Sequence, residues 1–449
     1  MAEARWAMLR DLEPAILVPV RIARGRRDGL LLFGVMLTTA VGSTGLQSVV
    51  PAIGRTLRIP DLFIAVAFSL SAVLWSIAAP FWARRLDRHG CKRMVIIGLS
   101  GFVVSLLLAG LALSAAVLGW IPAGLAFAGF AVARGIYGYF GAAAPPAAQA
   151  LLVARTSRAD RTKALTLLAS AFGLGTIIGP ALAPFFVLPI VGLSGPPYIF
   201  ALIGIAMLAT VFFVLSDTAV GHRVRGAPAA EPLIGTEPSD ASLMAVTEEG
   251  DRNNVRFTDP RIRPWMLIGL ISGHAQAIAG QTMAFLIIDR LALPPATAQP
   301  LIGIVLMSGA GAALLAQWGL IPRLDLKPRQ LCIWGAALAS LGSLGVVLAT
   351  DLHSTAIAFA LASLGFGCLR PGFTAGASLA VKDTEQGAVA GRVTSNNGIV
   401  FAFGPAAGIL MYEVWRPLPY LVCMFALLCL VPYGLARLPR STLPTAPAA

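Results

Sequence analysis

One stretch of this chain occurs twice. Residues 158–184 read RADRTKALTLLASAFGLGTIIGPALAP, and residues 383–409 read DTEQGAVAGRVTSNNGIVFAFGPAAGI. A constant offset of 225 residues (383 − 158) superposes Ser170 on Ser395, Gly173 on Gly398, Gly179-Pro180 on Gly404-Pro405 and Ala181 on Ala406. Upstream, the same offset places Pro146 on Pro371. An offset near half of a 449-residue chain predicts two homologous halves that fold alike. Each Gly-Pro pair lies in an apolar stretch long enough to cross a bilayer, and Gly/Pro-interrupted spans in matching positions of duplicated halves mark secondary transporters.

The chain is 57% hydrophobic and 12% charged, against about 25% charged residues in a soluble domain. Hydropathy places twelve spans near 29–51, 62–83, 94–116, 120–152, 163–189, 196–216, 264–288, 299–321, 331–350, 354–380, 387–412 and 417–436, each close to the roughly 20 residues that a bilayer requires. The predicted fold is all-α and polytopic, with two pseudo-symmetric six-helix halves at 29–216 and 264–436. A cytoplasmic leader is expected at 1–28, a flexible cytoplasmic linker at 217–263 and a tail at 437–449. No cleavable signal peptide is expected, because no continuous apolar core precedes Leu30.

The net charge of +13 does not indicate nucleic acid, because the basic residues sit in short spacers rather than in one patch. With the N-terminus inside, the outer loops hold only Arg55, Arg58, Arg290 and Arg416 among the 34 Lys and Arg residues. That asymmetry predicts both termini in the cytoplasm. Cys332, Cys368, Cys423 and Cys429 fall in spans and Cys91 in a loop, so no disulfide framework is expected.

The loop between spans 2 and 3, FWARRLDRHGCKRMVIIG, and the loop between spans 8 and 9, WGLIPRLDLKPRQLCIWG, share Arg-Leu-Asp at 85–87 and 323–325. A carboxylate among arginines at a helix end makes charge-assisted hydrogen bonds to a neighbour. Asp87, Arg88, Gly90, Lys92, Arg93 and Asp325 are therefore read as a conformational latch. Pro180 and Pro405 each remove one helical hydrogen bond, and Gly175, Gly179 and Gly404 let another helix approach. These residues predict kinks at close helix contacts.

On these motifs the chain resembles the major facilitator superfamily over roughly 29–436. Asp87, Arg88, Gly90, Lys92 and Arg93 match its span 2–3 loop motif, with Ala83 where the family opens on Gly. Arg134, Gly138, Gly141 and Ala142 match its span-4 motif, with Tyr137 in place of Gln. Gly175, Gly179 and Pro180 match the span-5 motif of the twelve-span drug/proton antiporters, with Ala183-Pro184 replacing the closing Gly pair. The resemblance implies alternating access, a cavity among spans 1, 4, 7 and 10, and proton coupling through Arg134. Span 1 lacks the carboxylate that several such antiporters keep, which leaves His274 and Asp289 as further candidates for the titrating group.

Charges inside spans point to function. Arg370 either binds an anionic or carbonyl-bearing substrate or caps carbonyls freed by Pro371. On helical faces, the predicted cavity lining is Thr44 and Gln47 in span 1, Tyr137 in span 4, Gln281 in span 7, and Phe366, Arg370, Phe373 and Thr374 in span 10. No phosphate loop, metal spacing or catalytic constellation is present. The expectation is a non-enzymatic secondary transporter without cofactor or metal, a monomer in a bacterial inner membrane. It takes a small-molecule substrate, couples to protons and exports amphipathic organic compounds. The alternative is an importer or exchanger of a small organic anion that uses Arg134 and Arg370.

Overall fold

The computed structural model describes residues 2–155, 161–215, 255–382 and 385–439. Most of the expected linker and tail lies outside them, as does the side chain of Asp87. The architecture is all-helical. Helix α1 (Ala2–Thr56) runs without a break from the expected leader into the first span. It is followed by α2 (Asp61–His89), α3 (Cys91–Val117), α4 (Ala123–Ile136), α5 (Ala144–Arg155), α6 (Arg161–Leu182) and α7 (Gly195–Val214). The second half comprises α8 (Arg263–Leu291), α9 (Pro295–Leu314), α10 (Ile321–Leu324), α11 (Pro328–Leu348), α12 (Leu352–Leu379), α13 (Gln386–Val414) and α14 (Leu418–Arg437).

Nine helices among the described residues are long and apolar enough to cross a membrane. In hydrocarbon every backbone N–H and C=O needs an internal partner, which a helix supplies. The stretches expected as spans 4, 5 and 7 are also helical, in α4–α5, α6 and α8. The fourth is interrupted by a π-turn at Tyr137–Gly141, and α9 continues into another at Leu315–Leu320. Large apolar side chains such as Phe63, Ile77, Leu111, Phe213 and Trp334 point outward. An outer surface this apolar is suited to lipid rather than water.

The duplicated cassette has a packing explanation. Gly175 on α6 faces Ala40 and Val41 of α1, and Gly179 faces Val41, Thr44 and Gly45. In the second half Gly404 on α13 faces Ala277 of α8, and Gly408 faces Ile278. Both Gly-Pro runs therefore bring the same kind of helix pair into contact, in which small residues permit close approach. The halves meet along α2–α13 and α6–α9. Ala72 of α2 packs with Val400 and Phe401 of α13, and Gly303 of α9 lies against the Pro180 carbonyl.

Gly90 joins α2 to α3 at φ 78°, ψ 154°, and its N–H donates to the Leu86 carbonyl at 3.0 Å. A Cβ is disfavoured at that backbone conformation, which gives a structural reason for glycine in this loop. The two Arg-Leu-Asp triplets differ locally. Residues 85–87 lie within the last turns of α2, whereas Asp325 ends α10 in the left-handed region at φ 45°, a conformation Asp tolerates better than most residues.

Candidate functional site

Between the halves lies a cavity of about 130 Å³. It is bordered by α1 (Thr44, Gln47), α6 (Phe172, Thr176, Pro180), α8 (Gln276, Gln281), α9 and its π-turn (Leu306, Gln317), α12 (Phe359, Ser363, Phe366) and α13 (Phe401, Pro405). Both prolines of the repeated cassette therefore reach the cavity wall. The seam is bridged at this level by Gln47 Nε2, which donates to Gln281 Oε1 at 3.4 Å. Thr44 Oγ1 is within 2.8 Å of the Ala40 carbonyl and 3.0 Å of the Gly175 carbonyl, which ties the cavity wall to the α1–α6 contact.

A smaller side cavity, about 20 Å³, adjoins the first and shares Gln276, Phe366 and Phe401 with it. Its other walls include Ser272, Arg370, Phe373 and Asn397. The cation of α12 thus lies beside the main cavity, behind Phe366. Thr374 lines neither cavity, because its hydroxyl is turned onto its own helix, 3.0 Å from the Arg370 carbonyl.

Arg134 and Tyr137 also lie away from both cavities. The Arg134 guanidinium sits over the rings of Phe68 and Tyr137, at 5.0 and 5.1 Å. Tyr137 packs on Trp75 and Phe102, with ring centroids at 5.6 and 5.7 Å. Arg134 is buried, and its Nε has no hydrogen-bond partner. Aromatic faces meet part of its charge through their quadrupole. The face of span 4 expected at the cavity is instead turned into the N-terminal half. Arg134 and Tyr137 lie at or before the start of the π-turn, so they share a regular helical face, and Phe68, Trp75 and Phe102 of α2 and α3 cover it.

At one end of the bundle the C-termini of α1, α8 and α13 converge on the start of α2. Arg55 Nη2 lies 2.6 Å from Asp61 Oδ2 and 3.0 Å from Asp289 Oδ2. Asp289 also accepts from the Tyr412 hydroxyl at 2.8 Å and has Arg416 Nε at 3.6 Å. Arg55 belongs to the N-terminal half and Asp289 to the C-terminal half, so this cluster closes the seam at that end. The sequence offered Asp289 as a candidate titrating group and named no partner for it. The missed signal was the scarcity of cations in the outer loops, where Arg55 and Arg416 are conspicuous.

His274 lies outside both cavities, next to Gly404. Its Nδ1 is 2.8 Å from the Leu270 carbonyl. A carbonyl only accepts, so Nδ1 carries the proton in this arrangement. In the expected latch loops Arg88 and Asp325 are exposed, and Lys92 Nζ lies 5.8 Å from the Phe212 ring centroid. Among the described residues, no cluster of His, Cys, Asp and Glu suited to a metal ion is found.

Comparison with known proteins places this geometry in context. The sequence model described as Major Facilitator Superfamily matches residues 32–405. Multidrug resistance protein 2 of Bacillus subtilis (strain 168) is 26% identical over 413 residues, covering 88% of this chain and 92% of that protein. The multi-drug resistance efflux pump PmrA homolog of Lactococcus lactis subsp. lactis (strain IL1403) is 33% identical over 162 residues, covering 34% of this chain and 35% of that protein. The structure of the human organic anion transporter MFSD10 (TETRAN) superposes with a TM-score of 0.61 at 17% identity, covering 91% of this chain and 99% of that one.

Proposed function

The chain belongs to the major facilitator superfamily and is a multi-pass membrane transporter of small molecules, and we propose that it exports amphipathic organic compounds by proton-coupled alternating access. The observation that carries the proposal is the cavity shared by both halves, closed at one end by Arg55 and Asp289. The relatives named for multidrug resistance support export of drug-like molecules.

In this reading the chain crosses a bacterial inner membrane twelve times, as a monomer, with both termini in the cytoplasm. The Arg55–Asp289 end then faces outward, and the state described is sealed on that side. Substrate enters from the cytoplasmic side, loses water against Phe172, Phe359, Phe366 and Phe401, and is oriented by the amides around it. Rocking of the halves parts Gln47 from Gln281 and Arg55 from Asp289 and exposes the cavity outside. The 87–93 loop and Asp325 latch the cytoplasmic side in the other state.

Protonation of Asp289 from outside removes its attraction for Arg55 and so favours opening there. Release of that proton on the other side completes the coupling, with His274 and Arg134 as further groups on the route. The test is substrate flux in proteoliposomes under opposite pH gradients, with and without an ionophore. Flux that follows the inward proton gradient and collapses with the ionophore is expected. Gradient-independent flux that requires an organic anion on the opposite face would favour the exchanger, a reading that Arg370 beside the cavity supports.

A further inference from the structure

We infer that the cavity selects against positive charge: its substrates are neutral or singly anionic amphipaths whose carbonyl or carboxylate points toward Arg370. This rests on the export reading and narrows it to a charge class. Every residue lining the main cavity is uncharged. Its polar surface comes from the amides of Gln47, Gln276, Gln281 and Gln317 and the hydroxyls of Thr44, Thr176 and Ser363. Among the described residues lining the two adjoining cavities, Arg370 is the only ionisable one.

The electrostatic consequence is one-sided. An organic cation entering this space leaves water without meeting a carboxylate, and an ion buried without a counter-charge bears most of its desolvation penalty. The Arg370 guanidinium repels it further, with little water between to screen the two charges. A carboxylate or carbonyl loses water too, but it meets the guanidinium fork and can accept charge-assisted hydrogen bonds. Gln276 and Phe366 belong to both cavities. They form the wall shared by the two spaces, so a head group directed there approaches Arg370 while its aromatic body stays among Phe172, Phe359 and Phe401. The glutamine amides offer both donors and acceptors, so a neutral amide or ester is also accommodated.

The test uses the full chain in proteoliposomes with three probes on one naphthyl body: an acetate, the corresponding carboxamide and a trimethylammonium. The acetate and carboxamide should be carried and the cation excluded. Arg370→Gln should lower acetate flux roughly tenfold, the size of a lost hydrogen bond to a charged group, and carboxamide flux only about threefold, the size of a lost neutral one, while Arg370→Lys keeps most of both. Gln281→Glu should admit the cation. Tryptophan fluorescence binding titrations on the same variants separate loss of recognition from loss of fold. Preferential transport of the cation by wild type overturns the inference and leaves the export reading intact. Equal loss of acetate and carboxamide in Arg370→Gln with an unchanged melting temperature also overturns it. If none of the probes is bound or carried, the export reading falls and this inference with it.

Discussion

Gln47 and Gln281 hydrogen-bond across the seam between the halves, and about two turns farther along the same helices Arg55 meets Asp289. Both pairs are separated by 234 residues in sequence. Helices α1 and α8 therefore face each other in register, one neutral contact at the cavity and one charged contact at the end. The two contacts open together if the halves rock, because they lie on the same pair of rods.

Asp289→Asn should loosen that end of the bundle. The Arg55–Asp289 pair is partly buried, with Arg55 the more exposed partner, and is worth ~1–2 kcal/mol, roughly a five- to thirtyfold shift in the closed-to-open ratio. The readout is labelling of a cysteine placed at Gly280, which lines the cavity and has space for a side chain. A membrane-impermeant maleimide added from the outer face should react severalfold faster in the variant. The charge swap Arg55→Asp with Asp289→Arg should restore slow labelling. Unchanged labelling in Asp289→Asn would rule out a sealing role.

Gly179→Ala should impair both folding and flux. The added methyl meets the Val41 carbonyl and the Gly45 amide, which are backbone atoms with little freedom to move aside. Overpacking of this kind costs about 1–3 kcal/mol. Gly280→Ala, with nothing within 4 Å of the new methyl, serves as the matched control and should melt within experimental error of wild type. Equal melting temperatures for both variants would refute the close-contact account of the cassette.

Arg134→Ala should abolish pH-driven flux while leaving substrate affinity within about threefold, because the side chain lies against Phe68 and Tyr137 rather than in the cavity. Holding an ionised group at mid-membrane costs at least ~2.5 kcal/mol on insertion scales, so the chain retains it for a purpose. A binding titration paired with gradient-driven uptake distinguishes the two effects. A large loss of affinity with intact coupling would return Arg134 to the substrate site.

Acid should undo one clamp. Arg261 Nη1 lies 2.8 Å from Glu385 Oε2, and its Nη2 lies 2.8 Å from Asp259 Oδ2, which ties the residues before α8 to the start of α13. Hydrogen bonds from Arg261 hold both carboxyls below their ordinary range. Depressed carboxyl values stabilise the fold above the unfolded pKa, near 4, and the contribution is lost as pH falls through the lower folded values. The clamp is well exposed, so only ~0.2–1 kcal/mol is expected. Thermal unfolding of wild type and Arg261→Ala should differ slightly at pH 7 and converge below about pH 4. A constant difference down to pH 3 would contradict the assignment.

The duplication was legible because its packing needs small residues at fixed spacing, and Gly179-Pro180 and Gly404-Pro405 print that need directly in the chain. Thr44, Gln47, Gln281 and Phe366 were legible as lining because each stands out as a polar or aromatic residue on an apolar helix face. Tyr137 was misplaced, since periodicity shows that Arg134 and Tyr137 share a face but not that Phe68, Trp75 and Phe102 cover it. Gln276, Gln317 and Phe172 were missed because helical periodicity does not reveal how each helix is rotated about its own axis. The Arg55–Asp289 pairing was missed for a different reason, since the scarcity of outer-loop cations marks Arg55 but not its partner. Asp289 looks like an ordinary interfacial charge until the fold brings the two together.

The closure at the Arg55 end has an environmental consequence. Arg55 keeps about a third of its side-chain surface open to solvent, so the pair stands within reach of dissolved ions. At 0.15 M ionic strength charges are screened over about 8 Å, and over about 3 Å at 1 M. The two charges are 3.0 Å apart, a separation no greater than the screening length even at about 1 M, so salt should weaken this contact only slightly and the closure should hold across a wide range of ionic strength.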